Sequence, residues 1–586
     1  MSKTTDNVNK ASNNRCVIQA CLLSLAVIAA FFLPVFHAWL GYPLFKGADQ
    51  ESYSALLGIL PWSDAPAYYS GAGHLLQEGD LNDWNTRRPL NAILFAIRLW
   101  LSGGNFNTAL LLQAALCAVA SLGAASALAK TWGKKSGLLV GFCLWFYAST
   151  YLPTTLSETL GLTLGALAFT CLWQGLKLSR LWVMLMGCFF YTVALNARSG
   201  TFFVVPLLII WLGFAFKKEG QRYNWSASLL ALITVLLAFL LNHSLALLYG
   251  DVANGGLQAN FAHTLFGLVA GGKGWAYAHE VYANFTGSEP EFARHLYQQS
   301  LELFLNKPWL LGLGLLKSGL GACKGMLNIL LPTSVENIVL KSSLRVLGGL
   351  VLLALFWKAK TLYRYYPKQL QFLLIALVGI AASSCVIWKD GGVRVFAASF
   401  PFIAAFSGLL LVKPREHLEA SSSSMFESYA SIIVAGLLYL AAFIMPPFMT
   451  ETQKEGLPTL ACTLGTEPLR IKAPSLAPHK IIKRKPDLSI AEKFSTLSQQ
   501  DYQALLTLGA IEKVPSEAFQ MLIPMTEVQP LGIGLIYSST RKSTVYIVGP
   551  EIIFKQNKPL EVCGHFLPSK QPLLFYVDSF KSVENL

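Results

Sequence analysis

Long apolar runs limit what this chain can fold into more than any other feature of its sequence. Runs of roughly 16 to 25 apolar residues recur from residue 16 to about residue 449, and runs of that length are typical of membrane-spanning helices. Apolar residues make up 54% of the 586 residues and charged residues only 13%, well below the fraction that is usual in soluble domains. The sequence therefore predicts an all-α polytopic membrane domain.

The predicted membrane domain covers residues 16–449 and follows a polar cytoplasmic tail at residues 1–15. Its two largest outer loops are expected at residues 41–104 and 250–343. Residues 450–586 differ from the rest because they are mixed in character, Lys-rich and interrupted by Pro. They predict a small α/β domain outside the cytoplasm, with one helix in SIAEKFSTLSQQDYQALLTLG and short strands in GIGLIYSS, STVYIVG and PLLFYVDSF.

The net charge of +14 is explained by membrane topology and not by nucleic-acid binding. Lys and Arg gather in short clusters between the apolar runs, and such clusters stay on the cytoplasmic side of a membrane. When the cluster of Lys3, Lys10 and Arg15 is placed inside, the other basic clusters also fall inside. A bacterial inner membrane, with the periplasm outside, fits this pattern. The same topology would be expected in the membrane of the endoplasmic reticulum. The eleven predicted spans are 16–40, 105–129, 137–152, 156–176, 181–197, 201–216, 226–249, 344–357, 369–388, 393–412 and 427–448.

Two further apolar segments are predicted to lie at the outer membrane surface instead of crossing the bilayer. Segment 91–103, NAILFAIRLWLSG, is too short to span and contains Arg98. Segment 309–330 carries Lys317 and Lys324 seven residues apart, which places both on one helical face. An interfacial amphipathic helix at 309–330 also keeps the basic cluster that follows it inside.

Ionisable residues from four separate loops collect on the outer side of this topology. Charges at membrane depth are costly and usually mark a pathway or a site. Cations there suit the phosphate or diphosphate of a lipid, and a carboxylate suits a general base that deprotonates an attacking hydroxyl. Because no nucleotide sugar is available outside the cytoplasm, the pattern predicts a membrane glycosyltransferase with a lipid-linked donor. The residues are Asp64, Asp80, Asp83, Arg87, Arg88, Glu158, Arg198, Lys389, Asp390 and Arg394.

The first outer loop carries a family resemblance. Its stretches SDAPAYYSGAGHLLQEGD and WNTRRPL, followed by the short apolar helix, resemble the first outer loop of the GT-C superfamily of polyprenyl-phosphate-dependent glycosyltransferases. Members include the lipid A aminoarabinose transferase and the protein O-mannosyltransferases. The family pattern has an early Asp, an aromatic residue about four positions later and a small-residue helix that ends in Gly. Asp64, Tyr68, Tyr69 and Gly79 fit that pattern.

Three later stretches extend the resemblance over roughly residues 15–450. They are LPTTLSETLGLTLGALA, NARSGTFFVVPLL and DGGVRVFAASFPFIAAF. The resemblance implies that Asp64 is the general base and that transfer inverts the sugar. It implies a second functional carboxylate at Glu158 and substrate contacts at Tyr68, Tyr69, Arg87, Arg88, Arg198, Lys389 and Arg394.

The chain departs from the family in two places. Asp64 has no paired acidic neighbour, so the sequence specifies no cofactor and leaves a divalent metal open. The late motif reads RVF where many members have Arg-Tyr, which weakens the assignment of Arg394 as a donor contact. The acceptor is equally open, since a glycan, a lipid or a protein hydroxyl satisfies the pattern.

Each residue also has a plain structural interpretation. Asp64 can cap the helix that starts at APAYYSGAGHLL, and Glu158 can favour the N-terminus of span 4 through the helix dipole. The arginines can anchor the chain at lipid headgroups. Two rival functions also stay open, namely a multi-pass lipid or glycan transporter and a non-catalytic GT-C-like assembly subunit. The charges lie at one face and no internal repeat is visible, and both features favour the enzyme over a transporter.

Two smaller motifs complete the predictions. GLVAGGKG nearly matches a phosphate-binding loop, but it lacks the final Ser or Thr and no strand precedes it, so a nucleotide site is rejected. The ten Cys show no metal-type spacing. Cys462 and Cys563 are the two Cys of the C-terminal domain, and an oxidising compartment would make them a disulfide.

Overall fold

A computed structural model describes most of the helical domain and parts of the C-terminal domain. The described residues are 22, 24–39, 55–56, 60–61, 64–251, 259–329, 338–413, 426–453, 460, 462, 466–471, 475–482, 531–538, 541–566 and 574–582. The predicted cytoplasmic tail at residues 1–15 and the predicted helix at residues 489–509 lie outside them.

Helices dominate the first 453 residues. They are α1 Ser24–Trp39, α2 Asp64–Glu78, α3 Asp83–Thr86, α4 Pro89–Leu101, α5 Phe106–Trp132, α6 Lys134–Ser149, α7 Ser157–Lys177, α8 Leu181–Ala197, α9 Val204–Ala215, α10 Trp225–Tyr249, α11 Ala259–Val269, α12 Tyr277–Val281, α13 Glu289–Asn306, α14 Trp309–Ile329, α15 Ile338–Leu362, α16 Pro367–Gly391, α17 Phe400–Gly408 and α18 Phe426–Gln453. Short 3-10 turns occupy Gly392–Phe396 and Leu409–Leu411, and a two-residue hairpin pairs β1 Ala55–Leu56 with β2 Leu60–Pro61.

Five segments of the described chain are long and apolar enough to cross a membrane. They are Phe106–Trp132, Ser157–Lys177, Trp225–Tyr249, Pro367–Phe396 and Ser428–Thr450. Six shorter apolar helices accompany them, including Ser24–Trp39 and Leu181–Ala197. The chain is therefore an integral membrane protein. A helix lies in each of the eleven predicted segments, whereas the number that cross the bilayer stays a prediction.

Helix α7 occupies the centre of the membrane domain. Every residue from Ser157 to Leu176 is buried. Its small residues allow neighbouring backbones to approach closely, as is usual where membrane helices pack. A Cβ on Gly165 would overlap the carbonyl oxygen of Ala398, so the chain just before α17 rests directly on α7. This packing holds the first turn of α7, where Glu158 lies, in a fixed place.

The first outer loop folds back onto the helical body. Helix α2 begins at Asp64 and packs along α4, and α18 supports it through a hydrogen bond of 3.0 Å from Thr450 Oγ1 to the carbonyl of Leu75. Helix α4, the predicted surface helix, has eleven of its thirteen residues buried, from Pro89 to Leu99. It is therefore enclosed by protein along most of its length.

The long loop after α10 forms a small helical layer of its own. Its apolar cluster includes Phe266, Phe292 and Leu296, from α11 and α13. Helix α13 starts with a capping box between Ser288 and Glu291, the amphipathic helix that the sequence indicates. Helix α14 then packs lengthwise against α16.

The described part of the C-terminal domain forms a six-stranded sheet. Its strands are β3 Glu467–Ile471, β4 His479–Ile482, β5 Leu531–Ser538, β6 Ser543–Pro550, β7 Leu560–Phe566 and β8 Leu574–Ser582, in the order β3-β7-β8-β6-β5-β4. All neighbours pair antiparallel except β6 and β8, which pair in parallel. The three predicted strands correspond to β5, β6 and β8.

The sheet domain is docked on α2 and α5. Lys542 Nζ lies 3.4 Å from Glu78 Oε2, and the backbone amide of Phe106 donates to the carbonyl of Leu476 at 2.9 Å. The ring of Tyr537 covers Gly73 so closely that a side chain on Gly73 would collide with it. The helix that starts at Asp64 is thus held from one side by the C-terminal domain.

A disulfide joins Cys462 to Cys563 across a sequence separation of 101 residues. We expect the Cys462→Ser/Cys563→Ser double variant to lower the stability of the C-terminal domain by about 2–5 kcal/mol, since a cross-link over a long loop restricts the unfolded chain. Denaturant-dependent limited proteolysis of the full-length chain measures this change. Cys323→Ser, at an exposed free thiol, is the matched control. Equal midpoints for the double variant and the control would contradict the expectation.

Candidate functional site

Five ionisable side chains from distant parts of the sequence meet at one end of the membrane domain. Asp64 is the first residue of α2, and Glu158 lies in the first turn of α7. Arg198 follows α8 directly, Arg394 lies in the 3-10 turn after α16, and Arg88 precedes α4. These residues come from all four loops that the sequence analysis places on one side. We call this group the charged cluster.

Arg394 is the centre of the charged cluster. Its Nη2 lies 3.0 Å from Asp64 Oδ2, and its Nε donates to Glu158 Oε1 in a short contact. One guanidinium group therefore links the two carboxylates that the sequence singles out. A bridge of this kind fixes the relative positions of Asp64 and Glu158, which are 94 residues apart in the chain.

Arg198 also contacts Glu158. Its Nη2 lies 3.3 Å from Glu158 Oε1, the same oxygen that Arg394 contacts. Gly161, one turn further along α7, makes room for it, because a Cβ there would come within 2.9 Å of Arg198 Cβ. The small residue at position 161 thus allows a buried arginine to lie flat against α7.

Arg88 joins the charged cluster through Tyr68. Its Nη1 donates to the Tyr68 hydroxyl at 3.0 Å, and that hydroxyl donates to Ser157 Oγ at 3.2 Å. Tyr68 is buried and its ring also packs edge-on against Trp84. The phenol therefore connects α2, the start of α7 and the turn before α4 in one hydrogen-bonded chain.

The two carboxylates differ sharply in exposure. The side chain of Glu158 is fully buried, whereas that of Asp64 is 45% exposed. Glu158 is therefore placed to hold the arginines, and Asp64 is placed to meet a solute or substrate. Three guanidinium groups face these two carboxylates, so the charged cluster has an excess of one positive charge and suits an additional anion.

Burial and nearby charges act in opposite directions on the pKa values of Arg88 and Arg198. Burial acts to lower the pKa of Arg88, but the Tyr68 oxygen and the charges of Asp64 and Glu158 outweigh it and leave that pKa raised. For Arg198 burial prevails over the attraction of Glu158, and its pKa is lowered. Both guanidinium groups stay protonated at neutral pH because the ordinary pKa of arginine is so high.

Three residues that the resemblance singles out lie away from the charged cluster. Tyr69 packs its ring against Phe95 and Phe106, in the apolar core beside α2. Lys389 is exposed on the last turn of α16, and its Cγ lies 3.5 Å from the position a Cβ on Gly274 would take. Arg87 turns toward the long loop, which gives it a different set of partners.

Arg87 forms a second, separate group with residues of α11 and α13. Its Nη1 donates to Asn260 Oδ1 at 3.0 Å, and its Nη2 lies 3.3 Å from Glu289 Oε1. His263 Nε2 is also 3.3 Å from that oxygen, and its ring stacks against the rings of Trp275 and His279. This group attaches the first outer loop to the long loop.

The attachment predicts a pH dependence. The contact with His263 lowers the pKa of Glu289, burial opposes it, and the charge of Arg87 lowers it further. Glu289 therefore stabilises the folded chain above its ordinary pKa of 4.5, and this contribution is lost as the pH falls below 4.5. We expect the melting temperature of the wild type to fall more between pH 6 and pH 3.5 than that of Glu289→Gln. Glu302→Gln, on the exposed face of α13, should follow the wild type; parallel curves for all three proteins would contradict the role of Glu289.

Two residues that arrange the charged cluster were not among those predicted from the sequence. Ser157 accepts from Tyr68, and Thr155 Oγ1 donates to the carbonyl of Ala65 at 2.6 Å, which joins the chain before α7 to the first turn of α2. Both belong to the stretch LPTTLSETLG, whose polar residues at a span boundary are the signal that marks them. Within the described ranges, no group of three His, Cys, Asp or Glu side chains has the arrangement of a metal site.

No protein-family model and no curated protein matches the sequence. Solved structures with a similar arrangement include the Archaeoglobus fulgidus oligosaccharyltransferase in complex with Zn and sulfate, at 13% identity and a TM-score of 0.36. That comparison covers 74% of this chain and 54% of the archaeal protein, so the chain spans about half of its length.

ArnT from Cupriavidus metallidurans is similar to the chain at a lower TM-score. The apo structure gives 14% identity and a TM-score of 0.27, with 68% of this chain and 78% of ArnT covered. The structure bound to undecaprenyl phosphate gives 13% identity and a TM-score of 0.27, with 67% and 77% covered.

Proposed function

We propose that this chain is a membrane glycosyltransferase that moves a sugar from a polyprenyl-phosphate donor to an acceptor hydroxyl on the outer face of the membrane. The observation that carries the proposal is the charged cluster, in which three arginines surround one buried and one accessible carboxylate. An excess positive charge beside an accessible base is what attack on a phosphate-linked sugar requires.

Asp64 is the general base of the proposed reaction. It is the more exposed of the two carboxylates, and it lies at the start of α2. In the reaction it removes the proton from the acceptor hydroxyl while the hydroxyl oxygen bonds to the anomeric carbon. The bond from that carbon to the phosphate oxygen breaks in the same displacement, so the sugar is inverted.

The arginines stabilise the departing phosphate. As the glycosidic bond breaks, its electron pair stays on the phosphate oxygen and negative charge grows there. Arg394 contacts Asp64 directly, Arg88 is linked to α2 through the Tyr68 hydroxyl, and Arg198 contacts Glu158. Guanidinium groups held in place before the reaction need little rearrangement as this charge develops, which lowers the barrier.

Glu158 organises these cations. A fully buried carboxylate that contacts both Arg198 and Arg394 keeps two like charges close together, which would otherwise repel each other. Thr155 and Ser157, on either side of Leu156, tie the same stretch to α2. Glu158 therefore acts through the arginines rather than on the substrate.

The remaining features set the location of the site. The basic clusters of the sequence favour a cytoplasmic N-terminus and an outward-facing charged cluster, and the Cys462–Cys563 disulfide suits an oxidising compartment such as the periplasm. The C-terminal domain, which contacts α2, is the part of the chain best placed to receive an acceptor. The lipid tail of the donor would remain in the bilayer while its phosphate meets the arginines.

A reconstituted transfer assay tests the proposal. The purified chain is incubated in nanodiscs with polyprenyl-phosphate-linked sugars and with glycan, lipid or protein acceptors. Mass spectrometry then follows free polyprenyl phosphate and the new glycoside together. Matching amounts of both products are expected. Movement of intact donor between the leaflets of vesicles without bond cleavage would instead identify a transporter, and a lack of both would leave the assembly-subunit alternative.

A further inference from the structure

Helix α4 carries a buried charge that the proposed mechanism does not use. Arg98 is 6% exposed, and its Nε has no hydrogen-bond partner among the described residues. No carboxylate in the described part of the chain pairs with it. The ring of Phe95 lies 5.3 Å from its guanidinium carbon. Burying a cation without a carboxylate partner costs free energy, so stability does not explain why Arg98 lies here.

The one polar side chain that receives Arg98 within the described chain is Gln113 of α5. Arg98 Nη2 donates to Gln113 Oε1 at 3.0 Å. Since an arginine only donates hydrogen bonds, this contact fixes which end of the amide faces it. The Gln113 Nε2 is thereby turned toward two backbone carbonyls, those of Thr154 at 3.0 Å and Leu152 at 3.4 Å.

The two carbonyls belong to the stretch that joins α6 to α7. Its Leu156 amide donates to Thr154 Oγ1 at 3.2 Å, and its Thr155 hydroxyl donates to the carbonyl of Ala65, the residue after Asp64. The stretch then enters α7, where Glu158 is the second residue. Whatever holds this stretch therefore sets the positions of both carboxylates of the charged cluster relative to Arg394.

We infer that Arg98 and Gln113 are positioning residues, which orient the stretch at residues 152–156 and so hold Asp64 and Glu158 in their arrangement for sugar transfer. The inference rests on the proposed function for its kinetic consequence. Arg98 acts through the amide of Gln113 and reaches neither carboxylate itself. The alternative is that the pair has a structural role alone, in which the buried charge is merely tolerated.

Gln113→Glu separates these two roles. The new carboxylate still accepts from Arg98, and it pairs with the guanidinium charge, so the fold keeps its support. It has no amide hydrogen for the carbonyls of Thr154 and Leu152 and repels them. We expect kcat for transfer to fall by about 10- to 100-fold, because small misplacements of reacting groups have effects of this size. The KM for the donor should stay within about twofold, since the arginines of the charged cluster are intact.

Two substitutions of Arg98, Arg98→Met and Arg98→Lys, test the other residue of the pair. Methionine fills a similar volume without a charge, so the melting temperature should be unchanged or higher while kcat falls, because the Gln113 amide is free to rotate. Lysine donates to Gln113 Oε1 and should restore most of the turnover. Thr170→Val is the matched control, since Thr170 is buried in α7 and donates within its own helix to the carbonyl of Ala166.

Hydrogen exchange of the backbone gives a readout that does not depend on activity. Faster exchange at residues 152–157 is expected in Gln113→Glu and Arg98→Met but not in Arg98→Lys or Thr170→Val. Unchanged exchange in the first two variants would overturn the inference, whether or not the wild type transfers sugar. A wild type that transfers no sugar, combined with faster exchange in those variants, would overturn the proposed function and leave the positioning of the carboxylates intact. Equal kcat in the wild type, Gln113→Glu and Arg98→Met would overturn the inference but not the proposed function.

Discussion

Asp64→Asn is expected to reduce transfer by about three orders of magnitude while the protein stays folded. The substitution keeps the size and shape of the side chain, and 45% of that side chain is exposed, so few contacts are lost. The amide cannot take a proton from the acceptor hydroxyl, and removal of a general base typically lowers the rate by about 10²- to 10⁴-fold. Product formation under single-turnover conditions measures the step directly.

Donor binding should respond differently to the same substitution. Arg394 loses its partner at Asp64 but keeps Glu158, so the cations that meet the phosphate stay in place. The affinity for polyprenyl phosphate, measured without acceptor, is therefore expected to stay equal or to rise. Asp83→Asn is the control, because Asp83 is exposed in the first turn of α3 and lies outside the charged cluster. Full transfer by Asp64→Asn would rule out the base assignment.

The sequence predicted which loops meet, because sidedness follows from rules that act along the chain. Apolar runs set the helices, and the basic clusters orient them. Asp64, Glu158, Arg198 and Arg394 then had to fall at the same end of the domain, and the structure brings all four within one network of contacts. The prediction that these four residues lie at the same end of the domain did not depend on how the helices pack.

Packing determines which side chains of these loops enter the charged cluster, and the local sequence gives little indication of the choice. Tyr68 and Tyr69 are successive residues on α2, so they point about 100° apart: one reaches Arg88 and Ser157, and the other enters the core. Arg87 and Arg88 divide in the same way between the long loop and the charged cluster. Such choices depend on the rotation of α2 and on the conformation of the turn before α4, and neither can be read from the apolar pattern of the sequence.

The clearest missed signal was polarity inside a span. Gln113 lies well within α5, and a polar side chain at that depth indicates an interhelical hydrogen bond. Arg98, placed at the membrane surface by the sequence analysis, is instead enclosed by protein beside it. Its partner could not be identified before the contact between α4 and α5 was known.

Glu158→Gln is expected to produce the largest loss of stability of any single substitution in the charged cluster. The carboxylate is fully buried and contacts two arginines, whose side chains are 8% and 20% exposed. Removing its charge leaves Arg198 without a carboxylate partner among the described residues and leaves Arg394 with Asp64 as its partner. Breaking a buried ion pair by removing one partner costs about 3–5 kcal/mol. Thermal or SDS-induced unfolding in detergent measures the change, with Glu302→Gln as an exposed control.

A second substitution distinguishes lost charge compensation from a simple packing defect. In Glu158→Gln/Arg198→Met the cation that has lost its carboxylate partner is also removed, so the double variant should be more stable than Glu158→Gln alone, although Arg198→Met alone destabilises the wild type. A packing defect would instead make the two losses add. Transfer should stay low in the double variant, because Arg394 is no longer held toward Asp64 by the buried carboxylate. Recovery of stability without recovery of transfer is thus the result that assigns Glu158 its role as organiser of the arginines.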